Sequence, residues 1–317
     1  MNQPGKNSGL QAAIISAVFL GLAPIFGKQA ILGGFSPLAV VAFRTSIAMF
    51  LVFVLMALFK RSFFYIYPVG LVGCFLAGFV NGLGSILYYA ALSRLDASVG
   101  QLLYSFYPLF VAFWLLTDRQ PIGRLTLLRL VISLPGVYLL LSTGNHSIDL
   151  IGAGMMLGAA VLYALHLIIN QRVLFEVPAP TVTFYTLVSM SLTVVIAYLA
   201  FDRSLPSSGT SWWPVLALAF VTFISRLTLF YGVKYLGGIQ TAILGLGELL
   251  VTMATAQWWL GERLSSLQWL GTALLLVSLF LVSFDKPPTE KRKKTGWLAW
   301  LNPPKISPTD IPMQSQS

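Results

Sequence analysis

The chain has 317 residues, of which 57% are hydrophobic and only 9% charged, against about 25% charged in an ordinary soluble domain. A mean hydropathy of +0.81 excludes a soluble globular protein. The net charge of +10 sits mostly in short loops and the tail, where membrane orientation accounts for it, so nucleic acid is excluded as a partner.

A bilayer core about 30 Å thick takes about 20 apolar residues per helix, and the chain supplies such runs repeatedly. Ten spans are predicted, at 9–31, 36–59, 67–93, 97–117, 123–143, 150–171, 180–201, 212–235, 238–260 and 264–284. The first is too long for a signal-peptide core and leads into further spans, so it is read as retained. Turn chemistry separates them: Gly33-Gly34 and Ser36-Pro37 after the first, Pro178 and Pro180 before the seventh, Gly237-Gly238 before the ninth. The single cysteine, Cys74, lies in an apolar run and rules out an intramolecular disulfide. Residues 1–8 are a short N-terminus. Residues 285–317, with Lys291-Arg292-Lys293-Lys294, Trp297 and Trp300, read as a disordered basic tail, solvated or resting on the headgroup layer.

With the N-terminus inside, thirteen of the twenty Lys and Arg fall in inner loops and the tail, and only Arg94, Arg203 and Arg263 in outer loops. Both termini are therefore expected on the cytoplasmic side of the cell (inner) membrane. The other four, Lys28, Arg44, Arg129 and Arg226, fall inside spans.

Residues 88–108 align weakly with 230–249, with one slip at Arg94 and Lys234, and an offset of 141 sets Tyr107 on Glu248. Two halves, 9–143 and 150–284, each with five helices, must lie in opposite senses across the membrane. The expected fold is thus an all-α integral membrane protein of ten transmembrane helices in two inverted-topology five-helix repeats. Such repeats place a substrate site at the midplane between the halves.

Intramembrane polar residues mark where that site falls. Glu248 stands among some twenty uncharged residues, and an ionised carboxylate at a helix centre costs about 2.5–3.5 kcal/mol on insertion scales. Thr241, Gly245, Glu248, Thr252 and Thr255 share one helical face. Asn81, Ser85 and Tyr88 do so on the third helix, Gln101 with Tyr104 or Ser105 and Pro108 on the fourth, Tyr163, His166 and Asn170 on the sixth, and Gly21, Pro24 and Lys28 on the first. Arg44 lies about eight residues into its helix, too deep to snorkel easily, whereas Lys28 near a helix end can snorkel or face a cavity. Arg226 and Glu248 each lie mid-helix, which permits an ion pair, structural or substrate-binding. His166 is open to a packing or a cavity role, and Tyr88, Tyr104, Tyr107 and Tyr163 can wall a site for an amphipathic solute. Trp258 and Trp259 read as an interfacial belt. The small-residue pairs Gly78/Gly82 and Gly154/Gly158 suit helix packing and leave monomer and homodimer both open.

Several strings resemble the EamA family of the drug/metabolite transporter superfamily over roughly residues 10–284. They are Gly27-Lys28, Phe35-Ser-Pro-Leu with Phe43-Arg44, Tyr107-Pro108-Leu, Leu162-Tyr-Ala-Leu-His, Tyr235-Leu-Gly-Gly, Glu248-Leu, and Leu260-Gly-Glu-Arg-Leu-Ser-Ser-Leu-Gln-Trp-Leu-Gly. The chain departs from the pattern where Leu249 replaces a proline and where Thr117-Asp-Arg stands for Gly-Glu-Arg. The resemblance implies a ten-helix transporter of small metabolites, often an exporter, with a central cavity lined by both halves.

The expected function is a secondary transporter of amino acids or related amphipathic solutes, working by alternating access. Glu248 would carry a proton or hold a cationic group, and Arg44, Lys28 and Arg226 would meet a carboxylate or phosphate. Membrane lipids are the other expected partners. A flippase for lipids or lipid-linked solutes is the alternative, discriminated by a lateral opening between helices. An intramembrane enzyme is remote. Gly245-Leu-Gly-Glu approaches the Gly-x-Gly-Asp of intramembrane aspartyl proteases, but no Tyr-Asp pair supplies a second acid. No metal or other cofactor is expected, since His146 and His166 are not at ligand spacing and no phosphate-binding Gly-rich loop occurs.

Overall fold

The computed structural model describes residues 3–117, 149–207, 209–236, 247–262 and 265–281, with helical positions 128, 131–132, 135–136, 139, 241 and 244. Most of the predicted fifth span, most of the ninth before Gly247, the Gly237-Gly238 break, Gly245, Arg129, Arg263, His146 and the tail from 285 lie outside these residues. Among the described residues all regular structure is helical, and seven helical stretches are long and apolar enough to cross a membrane.

Ten helices are numbered here in chain order. The first half contributes α1 (Gln3–Leu32), α2 (Pro37–Phe59), α3 (Pro68–Arg94), α4 (Ala97–Tyr104) and α5 (Tyr107–Thr117). The second contributes α6 (Leu150–Leu174), α7 (Ala179–Phe201), α8 (Trp213–Leu236), α9 (Gly247–Thr255) and α10 (Ser266–Phe280). The predicted span 97–117 is present as one membrane-length stretch, Ala97–Thr117, broken into two helices. Pro108 has no N–H for the Tyr104 carbonyl and its ring crowds that oxygen, so the ladder fails there. Ser105 and Phe106 form a turn instead, with the Phe106 N–H reaching Leu103 O at 3.4 Å. The pseudo-equivalent Leu249 carries an N–H, and most of the turn before it lies outside the described residues.

Helix starts follow local chemistry. Pro37 stands at the first turn of α2, where its missing N–H costs nothing, and Ser36 Oγ accepts the Ala39 N–H at 3.1 Å. Asp149 caps α6 by accepting from the Ile151 and Gly152 N–H groups at 2.9 and 3.2 Å. The large side chains on the outside, such as Phe50, Phe79, Leu192 and Phe220, are apolar, as a lipid-facing surface requires.

The packing pattern is reciprocal. α1 packs on α8 and α9, while α6 packs on α3 and α4; α2 packs on α8 as α3 does on α7; and α2 meets α7. Exchanging the halves maps this set onto itself, which is the contact signature of two repeats about a pseudo-twofold axis. Gly78 and Gly82 are spent inside the molecule. A Cβ built at Gly78 would lie 2.6 Å from Ser189 Cβ, and one at Gly82 2.9 Å from Thr193 Cβ, so both serve the close approach of α3 and α7. A Cβ at Gly154 would meet nothing within 4 Å among the described residues.

Candidate functional site

At the junction of the two halves lies a cavity of about 50 Å³, room for roughly three to five waters at about 10–15 Å³ each. α1 supplies Leu20 and Ala23; α2, Arg44; α3, Asn81, Gly84, Ser85, Tyr88 and Tyr89; α4, Gln101 and Tyr104. From the second half come Ala159 and Tyr163 on α6, Arg226 on α8 and Glu248 on α9. Pro24 leaves the Leu20 carbonyl without its usual helical donor at the cavity wall.

Arg44 is carried by α2 about 10 Å from the helix start, at 1.5 Å per residue. It is 6% exposed, and its guanidinium donates through one terminal nitrogen to Thr222 Oγ1 at 3.3 Å and through the other to Ser85 Oγ at 3.1 Å. It lies over the Tyr89 ring, 4.7 Å from its centroid, a contact worth about 2 kcal/mol when desolvated. Its Nε–H has no partner among the described residues. Glu248 is 2% exposed, with Gln101 as a side-chain hydrogen-bonding neighbour, and its Oε1 likewise has no partner. Gly21 brings this stretch close. A Cβ there would lie 2.6 Å from Glu248 O, and the Thr252 hydroxyl donates to Gly21 O at 2.7 Å. The Tyr88 hydroxyl donates to Gln101 Oε1 at 3.1 Å, and Asn81 Nδ2 reaches the Met190 sulfur at 3.2 Å.

Arg226 and Glu248 share the cavity but do not form the ion pair that their mid-helix positions suggested. The close ion pair among the described residues is Arg94–Asp149, at 2.6 Å. Arg226 instead turns to His166 Nε2 at 3.3 Å and stands over the Tyr163 ring at 5.6 Å. A guanidinium only donates, so Nε2 accepts and Nδ1 carries the hydrogen that reaches Ala77 O at 3.0 Å. His166 is fully buried and lies behind the wall, holding Arg226 rather than facing the cavity. Tyr107 also stands behind the wall, against Tyr104 and Tyr163 with ring centroids 5.7 and 5.0 Å away. Lys28 is displaced furthest from its cavity reading. Its ammonium donates to Leu92 O at 2.9 Å and Leu95 O at 2.7 Å, capping the C-terminus of α3.

The structure therefore gathers Glu248, Arg44, Arg226, Tyr88, Asn81, Gln101 and Tyr163 into one wall and leaves Lys28, Tyr107 and His166 outside it. Tyr89 was missed. The stripe through Asn81 and Ser85 extends by four residues to Tyr89 as well as by three to Tyr88, and both tyrosines fall on the face. Thr222, the Arg44 partner on α8, carries no sequence signal beyond being a threonine in a span.

A membrane chain whose described residues are helical and whose halves share a charged cavity has the build of a small-solute transporter. The model of the EamA-like transporter family matches residues 7–142 and again 150–284, and the chain belongs to that family. It is similar to the uncharacterized transporter sll1319 of Synechocystis sp., 25% identical over 232 residues that cover 69% of this chain and 68% of the relative. It also superposes on a protein of known crystal structure with a TM-score of 0.62 at 18% identity, covering 90% of this chain and 98% of that one, a likeness of fold alone.

Proposed function

We propose that this transporter carries small amphipathic metabolites bearing both charges, amino acids being the type, out of the cell by alternating access. The observation that supports the reading is a pair of groups in one cavity that have no partner among the described residues: Arg44 Nε–H, a donor, and Glu248 Oε1, an acceptor. A buried polar atom left without a partner costs about 1–3 kcal/mol, and more if charged. A solute presenting a carboxylate to Arg44 and Arg226 and an ammonium to Glu248 would satisfy both groups at once. The tyrosines between them would flank its side chain.

The rest of the proposed frame is ten transmembrane helices in two inverted five-helix repeats, 9–143 and 150–284, with both termini in the cytoplasm. The reciprocal packing of α1–α4 and α6–α9 supports such a pair of repeats. Rocking one against the other would expose the shared cavity to each side in turn.

Purified protein reconstituted in liposomes and offered radiolabelled amino acids, organic acids, amines and sugars tests this. Flux of an amino acid, lost in Glu248→Gln, supports the reading; flux of none of these solutes removes it. Imposing a pH gradient in the same vesicles shows whether the solute moves with a proton, for which Glu248 is the proposed carrier.

A further inference from the structure

Helix α4 is only eight residues long and ends at the Ser105–Phe106 turn that Pro108 forces. Its other end is held in an unusual way. Asp96 occupies the N-cap position, where an aspartate ordinarily accepts from the first turn, yet its side chain makes no capping bond. The cap comes from the other repeat. Glu262 Oε1 accepts the Ala97 N–H at 2.7 Å, and Oε2 accepts the Ser98 N–H at 2.9 Å and the Ser98 hydroxyl at 2.5 Å. Glu262 follows Gly261, whose φ of 69° ends the π-turn Ala256–Leu260 after α9 and sends the chain back toward α4. The Glu262 N–H closes that turn on Ala256 O at 3.3 Å.

One turn beyond Ala97, about 6 Å along the axis, Gln101 faces the cavity between Tyr88 and Glu248. α4 is thus hinged at one end, capped at the other by a carboxylate of the opposite repeat, and lines the cavity in between. The neighbouring end of α3 is fixed separately, by Lys28 from α1 and by Arg94 to Asp149.

We propose that Glu262 is the latch of a gate: its bonds to the first turn of α4 close the cavity on the side of the α3–α4 turn, and opening to that side parts them. The proposal rests on the transport reading for its purpose, but the latch itself is a contact between repeats. Glu262 is partly exposed, so water can take over its bonds when the repeats separate. Loss of one charge-assisted hydrogen bond shifts an equilibrium by about tenfold or more.

The test is cysteine accessibility. In a Cys74→Ser, Ala23→Cys background the single thiol lies in the cavity wall, and a membrane-impermeant methanethiosulfonate is applied to sealed vesicles of each orientation. Glu262→Gln should raise the labelling rate about tenfold from the α3–α4 side only. An unchanged rate, or an equal rise from both sides, overturns the latch. A second variant, Ser98→Cys with Glu262→Cys in the same background, does not depend on Glu262→Gln folding. Oxidation should abolish labelling from that side and reduction restore it; labelling indifferent to the disulfide also overturns the proposal. Labelling reads opening and not flux. Latch-dependent labelling without flux of any solute would sink the transport reading alone, and flux with latch-independent labelling would sink the latch alone.

Discussion

Replacing Glu248 by Gln should move stability and ligand binding in opposite directions. The carboxylate is buried, its Oε1 is unpartnered among the described residues, and Arg226 is turned toward His166 instead. Removing the charge while keeping the shape replaces a buried charged acceptor short of a partner by a neutral amide, whose unmet hydrogen bonds cost less, a gain of about 1 kcal/mol or more. A ligand at a hundred times its Kd stabilises the parent protein by about 2.7 kcal/mol. If its ammonium meets Glu248, the variant loses a charged hydrogen bond of about 1.5–3 kcal/mol. The same ligand concentration then stabilises it by only about 0.3–1.3 kcal/mol. Thermal unfolding of both proteins, with and without an amino acid that binds, reads the two effects side by side. A variant that unfolds earlier than the parent when empty, yet keeps the full ligand shift, would show that Glu248 is a structural group already satisfied in the fold.

Three further outcomes follow from named contacts. Arg44→Lys keeps the charge but loses the fork to Thr222 and Ser85, so affinity for a carboxylate-bearing ligand should fall about tenfold in a binding titration, while its uncharged analogue is unaffected. Gly261→Ala should destabilise by about 1–2 kcal/mol through its left-handed backbone, since no atom of the described residues lies within 4 Å of the added Cβ, and Gly261→Asn should recover part of the loss in the same unfolding assay. The Arg94 guanidinium, together with the Gly152 and Ile151 N–H groups, holds the Asp149 carboxyl below its usual range. Its contribution is therefore fully present above the unfolded value of about 3.9 and lost as pH falls through the lower folded value, and Asp149→Asn, still a good cap, should flatten that acid limb of a stability-versus-pH curve.

Much of the frame was legible because lipid leaves few options: long apolar runs must be helices, and an isolated carboxylate or guanidinium inside one must face protein or water. That reasoning marked Glu248, Arg44 and Arg226 one by one as residues that could face a cavity; that all three line the same one is visible only in the structure. It could not distinguish the wall from what stands behind it, because face and depth do not report distance to a neighbour. His166 and Tyr107 lie on faces that turn inward, yet each is screened from the cavity by other side chains. Lys28 was ambiguous for a different reason, since the carbonyls it caps belong to α3, more than sixty residues away. The break in 97–117 could have been read from Pro108, whose missing N–H falls mid-span. The role of Glu262 could not, because its partners are backbone N–H groups, which every sequence carries.

The most direct measurement is a structure of the protein with a bound amino acid, chosen as the solute giving the largest thermal shift. Density is expected between Arg44 and Glu248, with the ligand carboxylate on the Arg44 Nε–H and its ammonium on Glu248 Oε1. A ligand seated elsewhere, with both of those atoms still unpartnered, would contradict the assignment of the cavity as the transport site.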